Sequence, residues 1–407
     1  MRDMADDRAL IAHVLRRMAF GATPERLARF VEWTPTDVIE ELLGESPLEP
    51  DLPELGSDDD YGKMPQWWLD VMGRDDAGLH ERMVWLWHGH LTSSLDKASP
   101  SLMLRQHQLL REHALGNFRE LLQAITTDAA MLYWLDGAGS TAEAPNENYS
   151  RELMELFSLG NDSGAYTESD VRAGAQALSG WWVDGDNDDT VEFDAESGPQ
   201  GPVDLLGTGV SSAAEAIDVI CAHPACAAFI AGKVHQWFVG EAPNDERRAY
   251  LAQVFTEGGL AIRPLVEVVV RDPSFLDARL NRPRSAVEWF VAVRSFFDVE
   301  MDWYSLDSLG QVPFSPPNVA GWPGYSRWLS AGSEFAKAQV ALDHAWDTAT
   351  LDSDDPVGEV LDRAGLLEVS DDTVTVLQRA ADSMEGRRER ATLLYSLVAV
   401  SPEFSLA

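Results

Sequence analysis

Helix punctuation recurs along this chain from one end to the other and leaves little room for an extended sheet. Thr23-Pro24, Thr34-Pro35 and Ser99-Pro100 each set a capping hydroxyl before a proline suited to the first helical turn. Thr167-Glu168-Ser169-Asp170 has the form of a capping box with Asp in place of Glu. Gly21, Gly44, Gly116, Gly137, Gly160 and Gly180 each follow a periodic apolar run, where glycine adopts a left-handed cap without a Cβ penalty. Apolar residues return at helical spacing, as in Leu102, Leu109 and Leu110, or Leu153, Leu156 and Phe157. The pattern predicts an all-α fold, one large body of roughly a dozen or more helices of modest length.

Two stretches break the pattern. Residues 44–64 carry Pro47, Pro50 and Pro53 with Asp58-Asp59-Asp60, and read as an acidic linker or exposed loop. Residues 182–210 hold Val183, Val191, Phe193 and Val203 among Gly, Asp and Pro, which predicts a small β-hairpin or ordered loop inserted in the helical body. The expected organisation is therefore N-terminal helices over 1–43, the acidic segment over 44–64, and the main helical body over 65–407. A faint repeat joins Val268-Val269-Val270-Arg271-Asp272-Pro273-Ser274-Phe275 to Leu397-Val398-Ala399-Val400-Ser401-Pro402-Glu403-Phe404. In both, an apolar helix ends at a polar-Pro-x-Phe turn, so either duplication or shared capping chemistry accounts for it.

Charge narrows the function. With 31 basic and 68 acidic residues the 407-residue chain carries a formal charge of −37, which repels phosphate backbones and anionic lipid surfaces. Nucleic acid and membrane are accordingly not expected as partners. Hydrophobic residues at 45% and charged residues at 24% exclude a disordered or collagen-like chain. Four of the basic residues are lysine (Lys63, Lys97, Lys233 and Lys337), a bias that fits either a salt-rich cell or codon usage that favours arginine. Two cysteines, Cys221 and Cys226, are too few for a disulfide framework. No apolar run approaches the ~18 residues of a membrane span. The start, Met1-Arg2-Asp3-Met4-Ala5-Asp6-Asp7, has no signal-peptide core, so the sequence as written reads as cytoplasmic.

Four constellations can carry chemistry. In Trp85-Leu86-Trp87-His88-Gly89-His90, Gly89 is expected to end a helix at His88 and turn His90 so that both imidazoles converge on one ion or substrate group. The plainer alternative is that each histidine caps a helix end or satisfies a buried carbonyl. On the helix Pro145-Asn146-Glu147-Asn148-Tyr149-Ser150-Arg151-Glu152, residues Asn148, Arg151, Glu152 and Glu155 fall within about 100° of one another. Two carboxylates at i, i+3 suit a shared metal or acid–base work, with Arg151 as an anion anchor; a solvated charged face is the alternative. His113 shares a helix face with Leu109 and Leu110 and is expected to point inward. The loop Phe314-Ser315-Pro316-Pro317-Asn318-Val319-Ala320-Gly321-Trp322-Pro323-Gly324-Tyr325-Ser326-Arg327-Trp328 offers flat aromatic faces for sugar rings or peptides, or a rigid packing plug. Cys221 and Cys226, with His223 between them, resemble a zinc pair less than two buried thiols around a helix stop.

Taken in order, these segments resemble a large bacterial family catalogued as domain of unknown function 1800. The resemblance rests on His13-Val14-Leu15-Arg16-Arg17-Met18-Ala19-Phe20-Gly21, Trp87-His88-Gly89-His90, Arg111-Glu112-His113-Ala114-Leu115-Gly116-Asn117-Phe118, and Pro145-Asn146-Glu147-Asn148 with Arg151-Glu152-Leu153-Met154-Glu155-Leu156-Phe157. It continues through Tyr166-Thr167-Glu168, Gly180-Trp181 and Pro316-Pro317-Asn318-Val319-Ala320-Gly321-Trp322-Pro323-Gly324. It implies an α-helical fold, an exported location for many relatives, and a neighbour of sulfatase/alkaline-phosphatase type as a partner. Relatives also tend to carry a His-Asp pair after the hairpin phenylalanine; here Phe193-Asp194-Ala195-Glu196-Ser197-Gly198 has no histidine, which alters any site that uses it.

The leading expectation is a metal-assisted hydrolase or lyase on a polar, carbohydrate-type substrate. In it His88, His90 and Glu152 hold a divalent metal or act in catalysis with Arg151, while His113, Asn148, Asn318, Trp322 and Trp328 bind substrate. The competing expectation is a non-catalytic binding or scaffold protein that docks a partner on the loop 314–328.

Overall fold

The computed structural model describes residues 4–56, 61–185 and 189–407; the Asp58-Asp59-Asp60 run lies outside them. Within the described residues the chain forms 22 α-helices and two small antiparallel hairpins. The N-terminal capping residues sit where the sequence places them, whereas of the six expected glycine stops only Gly160 and Gly180 take the left-handed conformation. Thr23, Thr34 and Ser99 accept from the backbone of the first helical turn, each followed by proline. Thr167 and Asp170 close a reciprocal capping box. The inserted β structure is two hairpins rather than one: Trp181–Asp184 pairs with Thr190–Phe193, and Val203–Leu205 pairs with Thr208–Val210.

One hydrophobic cluster runs from Ile11 to Phe404. Its largest members, Trp68, Trp87 and Trp289, are fully buried, and each indole N–H has an acceptor: Glu81 Oε1 at 2.6 Å, Ala114 O at 2.8 Å and Ala399 O at 2.8 Å. Paired indoles can be buried without the cost of an orphaned donor. The first helix belongs to the same body, since His13 Nε2 donates to Phe275 O at 2.8 Å. Residues 45–56 have no regular structure but are strapped down, with Trp67 and Arg111 donating to the carbonyls of Asp51 and Leu48.

The two Pro-x-Phe turns are both capped helix starts, Asp272 before Pro273 and Ser401 before Pro402, and bury Phe275 and Phe404. Cys221 and Cys226 are buried free thiols on successive helices. Among the described residues no single helix is long and apolar enough to cross a membrane.

Candidate functional site

Gly89 does not end its helix. The helix runs Leu79–His90 straight through it, so the imidazoles of His88 and His90 leave the axis about 200° apart and enter different surroundings. His88 is boxed by Trp68, Trp85, Phe314 and Trp322, with ring centroids 4.8–5.7 Å away. Its Nε2 accepts the Phe314 N–H at 3.0 Å, and burial lowers its pKa to about 3. His88 Nε2 thus latches the loop to the helix. His90 Nε2 donates to Phe157 O at 3.0 Å, in the π-helical turn Leu153–Ser158, which leaves Nδ1 as an acceptor without a hydrogen-bond partner. Burial and the nearby Lys233 charge hold His90 neutral as well.

The acidic helix faces solvent. Arg151 forks onto Glu168 at 2.7 and 2.9 Å and reaches Glu147 at 3.3 Å, with side chains 34%, 65% and 41% exposed. Glu152 is half-buried; burial and then Glu155 raise its carboxyl against the pull of Arg151. Neither Arg151 nor Glu152 lines the cavity that His90 lines, and among the described residues no three His, Cys, Asp or Glu side chains are grouped to hold a metal. The expected His88–His90–Glu152 ligand set therefore does not assemble. Asn148 donates to Leu135 O at 3.2 Å while Asn146 caps the helix and donates to Asp136 O at 3.0 Å, so the two amides staple a turn. His113 is half-buried; the buried face of that helix is Met103, Gln106, His107 and Leu110, one step out of phase with Leu109. Asn318 is exposed and caps its own turn through Ala320 N–H at 2.9 Å.

The proline–glycine loop is sewn to the end of the histidine helix. Besides the His88 latch, Leu95 N–H donates to Phe314 O at 2.9 Å and Thr92 Oγ1 donates to Val319 O at 2.6 Å. Gly321 makes this possible. Its φ is +79°, and a Cβ there would stand 2.8 Å from the carbonyl oxygen of Gly89. Seated this way, Trp322 and Trp328 enclose a cavity of about 190 Å³ with Trp85, His90, Trp237 and Tyr325. Its polar lining includes Lys233, Gln236, Ser285 and Gln311. A second cavity of about 550 Å³ adjoins it, sharing Lys233 and Gln236, and is bordered by residues 159–163. Together the volumes lie in the range of small-molecule sites, ~300–1,000 Å³.

Sequence reasoning missed Lys233 and Trp237, while Tyr325 belongs to the aromatic loop it singled out. Lys233 had a signal: it is one of four lysines and sits in the apolar helix Pro224–Val239, where burial lowers its pKa.

The arrangement defines a class: an all-α protein with an aromatic-walled cavity at the junction of a latched loop and two helices. The chain belongs to the family described as "Protein of unknown function (DUF1800)", whose model matches residues 13–406. No curated protein and no solved structure matches it at a significant level.

Proposed function

We propose that this chain binds a polar, ring-bearing ligand of carbohydrate type in the cavity walled by Trp85, Trp237, Trp322 and Trp328. The observation that supports the reading is the convergence of these indoles with Lys233, Gln236, Gln311, Ser285 and the unpaired Nδ1 of His90. Flat apolar faces suit the C–H surface of a sugar ring, and a few fixed polar groups select its hydroxyls. A hydrolase or lyase acting on such a ligand finds its proton acceptor in Lys233. Its ammonium is destabilised by burial, and it borders both cavities. Metal assistance has little support, because the expected ligands point to separate environments. Partner docking on the loop has less, because Trp328 is buried and Trp322 half-buried.

The test is a titration of neutral mono- and oligosaccharides followed by tryptophan fluorescence and calorimetry. Trp322→Ala should weaken binding at least about tenfold, the loss of a stacked aromatic anchor. A panel with no binder, or one whose binding is indifferent to Trp322→Ala, would refute the reading. Turnover, where seen, should vanish in Lys233→Met while binding persists.

A further inference from the structure

The geometry points to an oxyanion site formed by Arg17, Arg82 and Arg282, beneath the wall that Trp237 and Tyr325 share with the aromatic cavity. It deepens the proposed function by giving the ligand a charge. It rests on that reading only for the ring the anion belongs to, and the arginines carry the site themselves. All three guanidinium groups belong to residues 0% exposed, and Arg284 beside them is 4% exposed. Against these four cations, Glu288 is the carboxylate that pairs with the cluster among the described residues. It takes Arg82 at 2.5 Å and Arg282 at 2.7 and 3.2 Å. Burial alone would raise the Glu288 carboxyl, but Arg282 and Arg82 hold it well below the usual range.

An excess of three positive charges therefore lies in the core of a chain whose net charge is −37. Buried ions are ordinarily paired, because desolvation outweighs what neutral partners return. Among the described residues Arg17 has only neutral acceptors, Ala278 O at 3.2 Å and Asn281 Oδ1 at 2.5 Å, and its Nε and Nη1 have no hydrogen-bond partner. Arg82 Nε, Arg282 Nε and Arg284 Nη1 are likewise buried without one. Burial, then the charge of Arg282, pushes the Arg17 guanidinium well below its ordinary pKa. Several buried, unsatisfied N–H donors in one cluster are what a sulfate, phosphate or carboxylate accepts from, and the planar guanidinium matches two oxygens at once.

The cluster also touches the cavity wall. The guanidinium carbons of Arg82 and Arg282 lie 4.9 and 5.3 Å from the Trp237 ring, and Arg282 lies 5.0 Å from the Tyr325 ring. Arg282 also donates a hydrogen bond to the Tyr325 phenol oxygen. Trp237 and Tyr325 both line the cavity, so one side chain separates a bound ring from the arginines. An anionic substituent on that ring reaches them when Tyr325 turns.

The experiment is thermal unfolding of the full chain in sulfate, phosphate or chloride at equal ionic strength. The matched salt removes general screening of so acidic a protein. Sulfate or phosphate should raise the Tm saturably, with half-saturation at least tenfold below any effect of chloride. Arg17→Met should abolish the difference, and Tyr325→Phe, which frees the Arg282 donor that the phenol oxygen occupies, should lower the half-saturation severalfold. The second variant decides the matter if the first does not fold. Equal responses to all three salts, or a wild-type response in whichever variants fold, would overturn the site. Glucose 6-phosphate and glucose then separate the sources. Tenfold tighter binding of the sugar phosphate than of inorganic phosphate assigns the anion to the cavity ligand, and equal binding assigns it to a free oxyanion; both support the site. A neutral sugar lost on Trp322→Ala with no anion response sinks the oxyanion site alone, and the reverse sinks the sugar reading alone.

Discussion

Replacing His88 by glutamine should flatten the acid side of the stability curve by one proton. In the folded chain the imidazole is sealed among Trp68, Trp85, Phe314 and Trp322, and its Nε2 lone pair holds the Phe314 N–H. Protonation would put a second hydrogen where that N–H already points, and a charge where no water reaches. Burial accordingly lowers the pKa from 6.5 to about 3. Because the folded pKa is depressed, the contribution to stability is complete above pH 6.5 and is lost as pH falls toward 3, while the unfolded chain takes up the proton. Between pH 7.5 and 5.0 this amounts to about 2 kcal/mol. His13, His90 and His107 are also buried with lowered pKa values, so the raw slope is not the observable. The difference between wild type and His88→Gln is, since the other histidines cancel. Urea unfolding at pH 7.5 and 5.0 measures it. The variant should start less stable, having lost packing, yet lose about 2 kcal/mol less on acidification. Equal losses in both proteins would mean that His88 titrates freely, and the latch would have to be abandoned.

Three further changes probe the frame of the site. Glu288→Gln removes the carboxylate shared by Arg82 and Arg282 and should cost about 3–5 kcal/mol in denaturant unfolding. Arg151→Ala opens only solvent-exposed pairs and should cost under about 1 kcal/mol, a Tm shift of a degree or two. Gly321→Ala should cost about 1–3 kcal/mol through left-handed strain and should shift the tryptophan emission, because the added Cβ meets Gly89 O.

The motifs that mark the family have a common structural use in this chain. His88 latches the loop, Gly321 lets the loop pass close to Gly89, Asn146 and Asn148 staple a turn, and Arg151 ties its helix to Glu168. His90, Trp322 and Trp328 are the sequence-derived candidates that line the cavity. The catalytic appearance of the polar residues in the linear chain comes from the fact that sites and buried latches both need hydrogen-bonding side chains among apolar ones. Periodicity does not distinguish the two.

Local information determined the helices. A threonine before proline caps a helix whatever lies above it, and this holds at Thr23, Thr34 and Ser99 because the acceptor and the orphan N–H groups are within three residues. The hairpin insertion was legible for the same reason. Tertiary structure decided whether Gly89 broke its helix, since packing on both sides of Leu79–His90 outweighs the roughly 1 kcal/mol that glycine costs a helix interior. It decided the fate of the arginines too. Arg17 lies in a stretch rich in basic residues, and nothing local shows that it meets Arg82 and Arg282 across gaps of 65 and 265 residues. Burial, and with it the protonation of His13, His88, His90 and His107, is a property of the assembled body, because desolvation depends on all the atoms that exclude water and not on the neighbours along the chain.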